Sequence, residues 1–294
     1  MRLLKDALAR RAMGLVAALP AALVLLIVVG LFLKSKAILA VVPLSKLLFS
    51  SAWHPLKGEF GFLPFITGTF WVTVTALVLA VPVSILAAIY LSEYAPRWVR
   101  EGAKPVVDLL AGLPSVVYGV WGVILVVPFV GNVLAPLAGV YSSGYSILAG
   151  GIVLAIMTFP TIIHVTLEVF ASVPQSLRDA SLSLGATRWE TTRHVVLRKG
   201  AQGILAASVL GFSRAFGETM AVLMVVGNVP AVPQSLFDAG YPLPALIANN
   251  YGEMMSIPSY DAALMMAALV LTLIVLFFNV LARRILVRVE RRVR

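Results

Sequence analysis

Six apolar runs recur along this chain, each about as long as a helix needs to cross the hydrocarbon core of a bilayer. They cover residues 12–33, 66–92, 107–130, 146–171, 201–227 and 262–286. In lipid the backbone must satisfy its own hydrogen bonds, so runs of this length dictate helices. The fold class is therefore an all-α integral membrane protein with six transmembrane helices. Composition agrees: of 294 residues, 60% are hydrophobic and 12% charged, with a mean hydropathy of +0.98. That balance excludes an ordinary soluble globule. Cysteine is absent, which removes disulfides and thiolate metal sites, and His54, His164 and His194 are too far apart in sequence for ligand spacing. The first run is too long for a signal peptide and has no clear small-residue cleavage site.

The formal net charge of +10 could point to nucleic acid, but the basic residues sit between the apolar runs, as they do beside anionic lipid. Lys and Arg number four in the N-terminal tail, three near 93–106, five in 172–200 and six in the C-terminal tail. With six spans these segments share one side. The other side holds four, all in its first loop (Lys34, Lys36, Lys46 and Lys57). The positive-inside rule then makes both termini cytoplasmic. The organisation reads as a tail over 1–11, a transmembrane domain over 12–286 and a basic tail over 287–294. Tyr90, Tyr94 and Trp98 read as an interfacial belt. The C-terminal arginines (Arg283, Arg284, Arg288, Arg291, Arg292 and Arg294) suit the membrane surface. The loops 34–65 and 228–261 are rich in aromatic residues or proline; each either contacts a partner or covers the bundle.

One stretch of the fifth run, GFSRAFGETMAV over 211–222, buries charge where it is costly. An arginine at mid-membrane costs about 2.5–3.5 kcal/mol on insertion scales. Read as one helix, the stretch puts Arg214 and Glu218 on a common face, with Gly211 and Gly217 on or beside it for close helix packing. Two readings stand: the charges neutralise each other, or Arg214 offers its planar fork of donors to a tetrahedral oxyanion. In the second, Glu218 orients the arginine and keeps the anion from binding too tightly. Ser115 and Thr219 are further candidates for the pathway. Gly112, Ser115, Gly119 and Gly122 form a small-residue stripe on the third run that suits helix packing. His164 pairs with Glu168, four residues on, and Asp108 bonds toward the loop 172–200. The methionines are core filler.

The loop SVPQSLRDASLSLGATRWETTRHVVLRKG, residues 172–200, reads as two short helices. Ser172 and Gln175 fit a capping box, Gly185 a left-handed C-cap, and Thr187 and Glu190 a second capping box. A short capped helix standing off the membrane suits docking into a groove of another protein; a solvated connector is the alternative.

Asp179-Ala180-Ser181, Gly185-Ala186 and Trp189 in this loop resemble the EAA loop of ABC-importer permeases, with Asp for Glu, Ser for the second Ala, and Arg198 where Pro is usual. FGFLPFITGTFWVT (60–73), AIYLSEYAPRWVR (88–100), LAGLPSVVYG (110–119), MTFPTIIHVTLE (157–168) and SRAFGET (213–219) resemble the permeases of the phosphate-specific ABC importer. The FGFLPFITGT and SLFDAGYPLPALIAN segments favour the PstC type over PstA. The resemblance implies a type I importer bundle in the inner membrane of a prokaryote, with the loop 172–200 carrying a coupling helix that seats in a groove of an ATPase subunit, reached through residues 174–186, with Asp179, Ala180, Ser181, Gly185, Ala186 and Trp189 as its coupling residues. It implies a PstA-like second permease, two PstB-like ATPases and a PstS-like extracytoplasmic phosphate-binding protein as partners, and a role for Arg214 and Glu218 in phosphate passage. No glycine precedes a lysine, so no P-loop exists here. ATP and Mg would be bound by the partner ATPase, with no cofactor in this chain and no enzyme constellation. A permease for molybdate, tungstate or sulfate is the nearest alternative, and a stand-alone anion channel or carrier a more distant one.

Overall fold

The computed structural model describes the backbone of residues 2–252 and 257–293, with side chains described over 9–252, 257–285 and at Val287. Six helices in it are long and apolar enough to cross a membrane: Ala9–Val41, Leu63–Tyr94, Ser115–Leu137, Ile147–Ser172, Arg188–Phe216 and Pro258–Ile285. They are called the first to sixth spans below. The tail arginines Arg288, Arg291, Arg292 and Arg294 have side chains outside the described residues.

The second and fourth spans form the centre. Both start on the face of the two aromatic and proline-rich loops, here the far face, and end on the face of the chain termini. Their close approach depends on glycine. A Cβ at Gly151 would lie 2.5 Å from Thr75 Cγ2 and 2.7 Å from its Cβ. The fifth span packs on the fourth in the same way, since a Cβ at Gly211 would meet Ile162 at 2.7 Å. In lipid no hydrophobic force drives helices together, so packing between small residues carries the association. The first span lies against the sixth, and its apolar surface is largely open, as suits lipid.

The far face is closed by the chain's own loops. Phe62 and Phe65 are fully buried, and the Trp53 ring stands 4.9 Å from that of Phe65 and 5.9 Å from that of Tyr260. The helix Leu243–Asn250 is seated on the second span, where Leu243 N donates to Thr69 Oγ1 at 2.8 Å. Ile147 N and Leu148 N, at the start of the fourth span, donate to Asp238 O and Leu236 O at 2.9 and 2.8 Å. Those contacts satisfy orphan helix donors that would otherwise face a poorly hydrated surface. Of the two readings of these loops, the chain uses them at least in part to cover its own bundle.

Several boundaries differ from the sequence reading: the first span runs to Val41 and not 33, the third to Leu137 and not 130, and the fifth opens at Arg188 and not 201. Two further differences bear on the site, for identifiable reasons. The third span opens at Ser115, not near 107. Residues Arg97–Gly112 form a separate amphipathic helix, stopped where Leu113 and Pro114 turn extended. The residue before a proline avoids the α region, so the chain breaks there. Gly112 therefore lies off the third span, and nothing sits within 4 Å of where its Cβ would be. Only the Gly119 and Gly122 part of the stripe packs: a Cβ there would meet Met224 Sδ at 2.5 Å and Val153 Cγ2 at 2.7 Å respectively. The second difference is the fifth span, which ends at Phe216 instead of running to 227.

A leucine at Gly151 should push the second and fourth spans apart. The expected result is a lower yield of folded protein and a lower Tm in detergent. Gly102, inside Arg97–Gly112 with nothing within 4 Å of its Cβ position, should accept alanine with a gain of about 0.5–1 kcal/mol. Thermal unfolding of the two variants beside the parent checks both.

Candidate functional site

The fifth span begins outside the apolar zone and is well anchored there. Thr187 Oγ1 accepts from Glu190 N at 3.3 Å, and the Glu190 carboxylate accepts from Thr187 N at 2.7 Å, a complete capping box. The helix passes through a π turn over Thr192–Val196 and then runs regularly from Leu197 to Phe216. There it stops, beside the middle of the fourth span, where Thr161 bonds Arg214. Gly217, Glu218 and Thr219 are not helical, and a new helix, Met220–Val225, starts after them. Local chemistry accounts for the break. Glycine and threonine are poor in helix interiors, and the Glu218 carboxylate accepts from Ala221 N at 3.2 Å, capping the next helix from outside.

The break corrects the sequence reading of Arg214 and Glu218 as an i,i+4 pair. With the helix interrupted between them, Glu218 turns to the Met220–Val225 helix. Among the described residues no carboxylate lies within ion-pair distance of Arg214. Arg214 is half-buried, and its Nη1 donates to Thr161 Oγ1 at 2.7 Å. A guanidinium has five donors, and one is committed here. Thr161 was not singled out in the sequence; threonines in membrane helices usually bond their own backbone, which hides one that reaches across. Beside Arg214, Ser213 Oγ lies 2.7 Å from Asn279 Oδ1 of the sixth span and 3.0 Å from Val209 O, so its one proton is shared between them. The rings of Phe212, Phe216 and Phe278 close the same seam, with centroids 5.3–5.7 Å apart.

Gly217, Glu218 and Thr219 make up the break that follows Arg214. Thr219 is half-buried, with Oγ1 3.4 Å from Gly217 O. Gly217 is exposed, with only Ser213 O, at 3.9 Å, near its Cβ position, so in this chain it packs against no neighbouring helix. Ser115 opens the third span and is not bonded to this group. Exposed, irregular backbone at membrane depth is tolerated only where it lines a cavity or meets protein. An arginine with free donors beside such a break is an arrangement that can hold an anion weakly.

A second constellation lies on the face of the termini. The helix Gln175–Ser183 starts at Pro174, and no side chain caps it; Ser172 Oγ turns back to Val169 O at 2.7 Å, so the expected Ser172 capping box does not form. Its other end is well built. Gly185 N donates to Leu182 O at 3.0 Å and Ala186 N to Ser181 O at 3.3 Å, with Gly185 at φ +86°, a complete Schellman motif. Ser181 Oγ and Thr191 Oγ1 are 2.9 Å apart and join this helix to the fifth span. Asp179 Oδ1 accepts from Gln175 Nε2 at 3.1 Å, and Ala180 is exposed. Leu182, Leu184 and Trp189 leave 45%, 89% and 51% of their surface open, an apolar patch on a face that is otherwise polar.

Next to it is a cleft of about 870 Å³ between Arg97–Gly112, the end of the fourth span and Gln175–Ser183. His164 lines it and pairs across it, with Nε2 2.9 Å from Asp108 Oδ1. The sequence reading put His164 with Glu168 and Asp108 with the 172–200 loop; the break at Pro114 instead lays Arg97–Gly112 along the fourth span. Arg178 and Glu93 form the most buried ion pair, 12% and 11% exposed, with Arg178 Nη2 3.0 Å from Glu93 Oε1. Eighty-five residues separate the two, so spacing carried no signal for it.

Comparison with known proteins fits this geometry. Residues 80–294 match the family described as binding-protein-dependent transport system inner membrane component. The chain is 42% identical over 208 residues to the probable ABC transporter permease protein YqgH of Bacillus subtilis, covering 70% of this chain and 66% of that one. It is 36% identical over 258 residues to the phosphate transport system permease protein PstC of Xylella fastidiosa, covering 83% of this chain and 79% of that one. Among solved structures, a bacterial ABC transporter involved in import of the acidic polysaccharide alginate superposes with a TM-score of 0.58 at 18% identity, covering 97% of this chain and 99% of that one. The chain belongs to the binding-protein-dependent transport system inner membrane component family, the permeases of ABC importers, and within it groups with the PstC phosphate permeases.

Proposed function

We propose that this chain is a permease subunit of an ATP-driven importer that moves inorganic phosphate across the cytoplasmic membrane by alternating access. The observation that carries this is the free fork of Arg214 at a helix break in the membrane, tied to Thr161 at 2.7 Å and paired with no carboxylate among the described residues. The names of the PstC relatives support phosphate as the anion. In this reading Arg214 lends donors to the anion in passage. Glu218 keeps negative charge close by, so that binding stays weak enough for release. Thr219, at the break, and Ser115, at the mouth of the third span, offer hydroxyls along the route.

The full assembly pairs this chain with a second, PstA-like permease. Two PstB-like ATPases bind ATP and Mg and supply the energy, and a PstS-like protein delivers phosphate from the other side. Both termini lie in the cytoplasm. Asp179, Ala180, Ser181, Gly185, Ala186 and Trp189, with the exposed Leu184, form the surface that seats in an ATPase. Membrane lipids cover the rest of the bundle, and the basic charge needs no nucleic acid.

With all subunits expressed in cells lacking high-affinity phosphate uptake, Arg214→Gln should cut labelled phosphate uptake by about tenfold or more while the complex still assembles, since a hydrogen bond to a charged group contributes ~1.5–3 kcal/mol. Sulfate should not compete. Unchanged uptake in the variant would place the anion route elsewhere. Leu184→Glu should leave this chain in the membrane but reduce the ATPase that copurifies with it; full recovery of the ATPase would remove Leu184 from the docking surface.

A further inference from the structure

A push on the helix Gln175–Ser183 can be passed to the fourth span that precedes it or to the fifth that follows, and its two attachments differ in kind. Toward the fifth span it has the glycine turn at Gly185, one neutral hydroxyl pair, Ser181 with Thr191, and backbone packing beside Arg188–Thr191 and Thr192–Val196, with no charged bond among the described residues. Toward the second and fourth spans it has Arg178. Arg178 Nε and Nη2 donate to the two oxygens of Glu93 at 3.3 and 3.0 Å, Nη1 donates to Val173 O at 2.6 Å, and Nη2 also donates to Phe170 O at 2.8 Å.

The backbone on both sides is shaped for these bonds. Pro174 has no N–H for Phe170 O, which accepts from Val173 N at 3.2 Å and has its second lone pair left for Arg178; a cation is favoured at such a helix end. The second span ends in a π turn over Tyr90–Tyr94, which holds Glu93. Ser92 Oγ donates to Glu93 Oε1 at 2.9 Å, and Arg100 donates to Leu91 O and Ser92 O at 2.9 and 2.7 Å. Below them Ala88, Ile89, Phe170 and Val173 make one buried apolar cluster, which Val196 of the fifth span also enters.

We propose that Arg178 is a positioning residue that makes the Gln175–Ser183 helix one mechanical body with the second and fourth spans, so that the stroke from the ATPase moves those spans relative to the fifth. This rests on the reading of that helix as the ATPase-docking element. The consequence reaches the membrane site, because Thr161 is on the fourth span and Arg214 on the fifth. Sliding one against the other alters the Thr161–Arg214 bond and with it the donors that Arg214 shows to an anion. Two discrete arrangements of one element, biased from both ends, are what such coupling requires.

The chain has no cysteine, so spin labels can be placed at will in the full complex, assembled with cysteine-free partners. Labels at Ser183→Cys and Tyr90→Cys should keep the same separation in the nucleotide-free and the vanadate-trapped complex. Labels at Ser183→Cys and Leu210→Cys should change theirs. Arg178→Ala should broaden the first distribution and lower phosphate moved per ATP hydrolysed on the order of tenfold, with hydrolysis continuing. Arg178→Lys keeps the charge without the fork and should fall between. Should Arg178→Ala fail to assemble, Glu93→Gln supplies the same two readouts. A Ser183–Tyr90 separation that shifts in the unsubstituted complex on trapping would overturn the proposal, as would variants that keep the parent's phosphate-to-ATP ratio. The distance measurement is independent of which anion is carried. A complex that hydrolyses ATP and shows these separations but moves no phosphate would sink the substrate reading and leave the tether standing.

Discussion

A peptide group in hydrocarbon must find its partner inside the protein, and the rest of this structure follows from that rule. It forces six helices, and it makes any interruption within them expensive. The fifth span is nevertheless interrupted after Phe216, beside an arginine. Around that point polar groups meet one another: Thr161 against Arg214, Ser213 against Asn279, and Glu218 against the start of Met220–Val225. Replacing this group with apolar side chains and a continuous helix would remove its desolvation cost. In the proposed function the anion in passage supplies the partner that the protein leaves out.

Packing explains why such a group can exist without opening the bundle. Gly151 and Gly211 bring the second, fourth and fifth spans to van der Waals contact, and Thr161 meets Arg214 on the seam between the last two. The far face is stapled by Thr69, Asp238 and the ring cluster around Trp53, so that end of the bundle is held by the chain itself. The face of the termini is held differently. It depends on ion pairs and carbonyl bonds at Arg178, Arg100 and His164, around a cleft. One end is apolar and closed, the other polar and open to partners, which is the asymmetry a device driven from one side needs.

How much of this was legible in the sequence depended on the range of the interaction. The six helices and their number were plain, because hydropathy is local and a bilayer admits few alternatives. The Thr187–Glu190 box and the turn at Gly185 were legible for the same reason: each is settled within a few residues. The Pro114 break was signalled by its proline but outweighed by the apolar run on either side. The break at 217–219 was missed for a subtler reason. Glu218 fits a helical face by spacing, and only the bond it makes to Ala221 N shows that it ends one helix and begins another. Pairs such as Arg178 with Glu93 and His164 with Asp108 join distant segments, and no periodicity can announce them.

The same distinction bears on how the proposed membrane site and the proposed docking surface relate. Between the Gln175–Ser183 helix and Arg214 the chain offers two routes, one along the fifth span and one through the fourth. The fifth-span route begins with a left-handed glycine and passes a π turn at Thr192–Val196, both departures from a stiff regular helix. The fourth-span route begins at Arg178, whose donors grip the last carbonyls of that span, and runs along a helix packed on the second span through its glycines. On the proposed tether the fourth span is the carrier of displacement. The residue it carries to Arg214 is Thr161, the one side chain among the described residues that holds the arginine by a hydrogen bond.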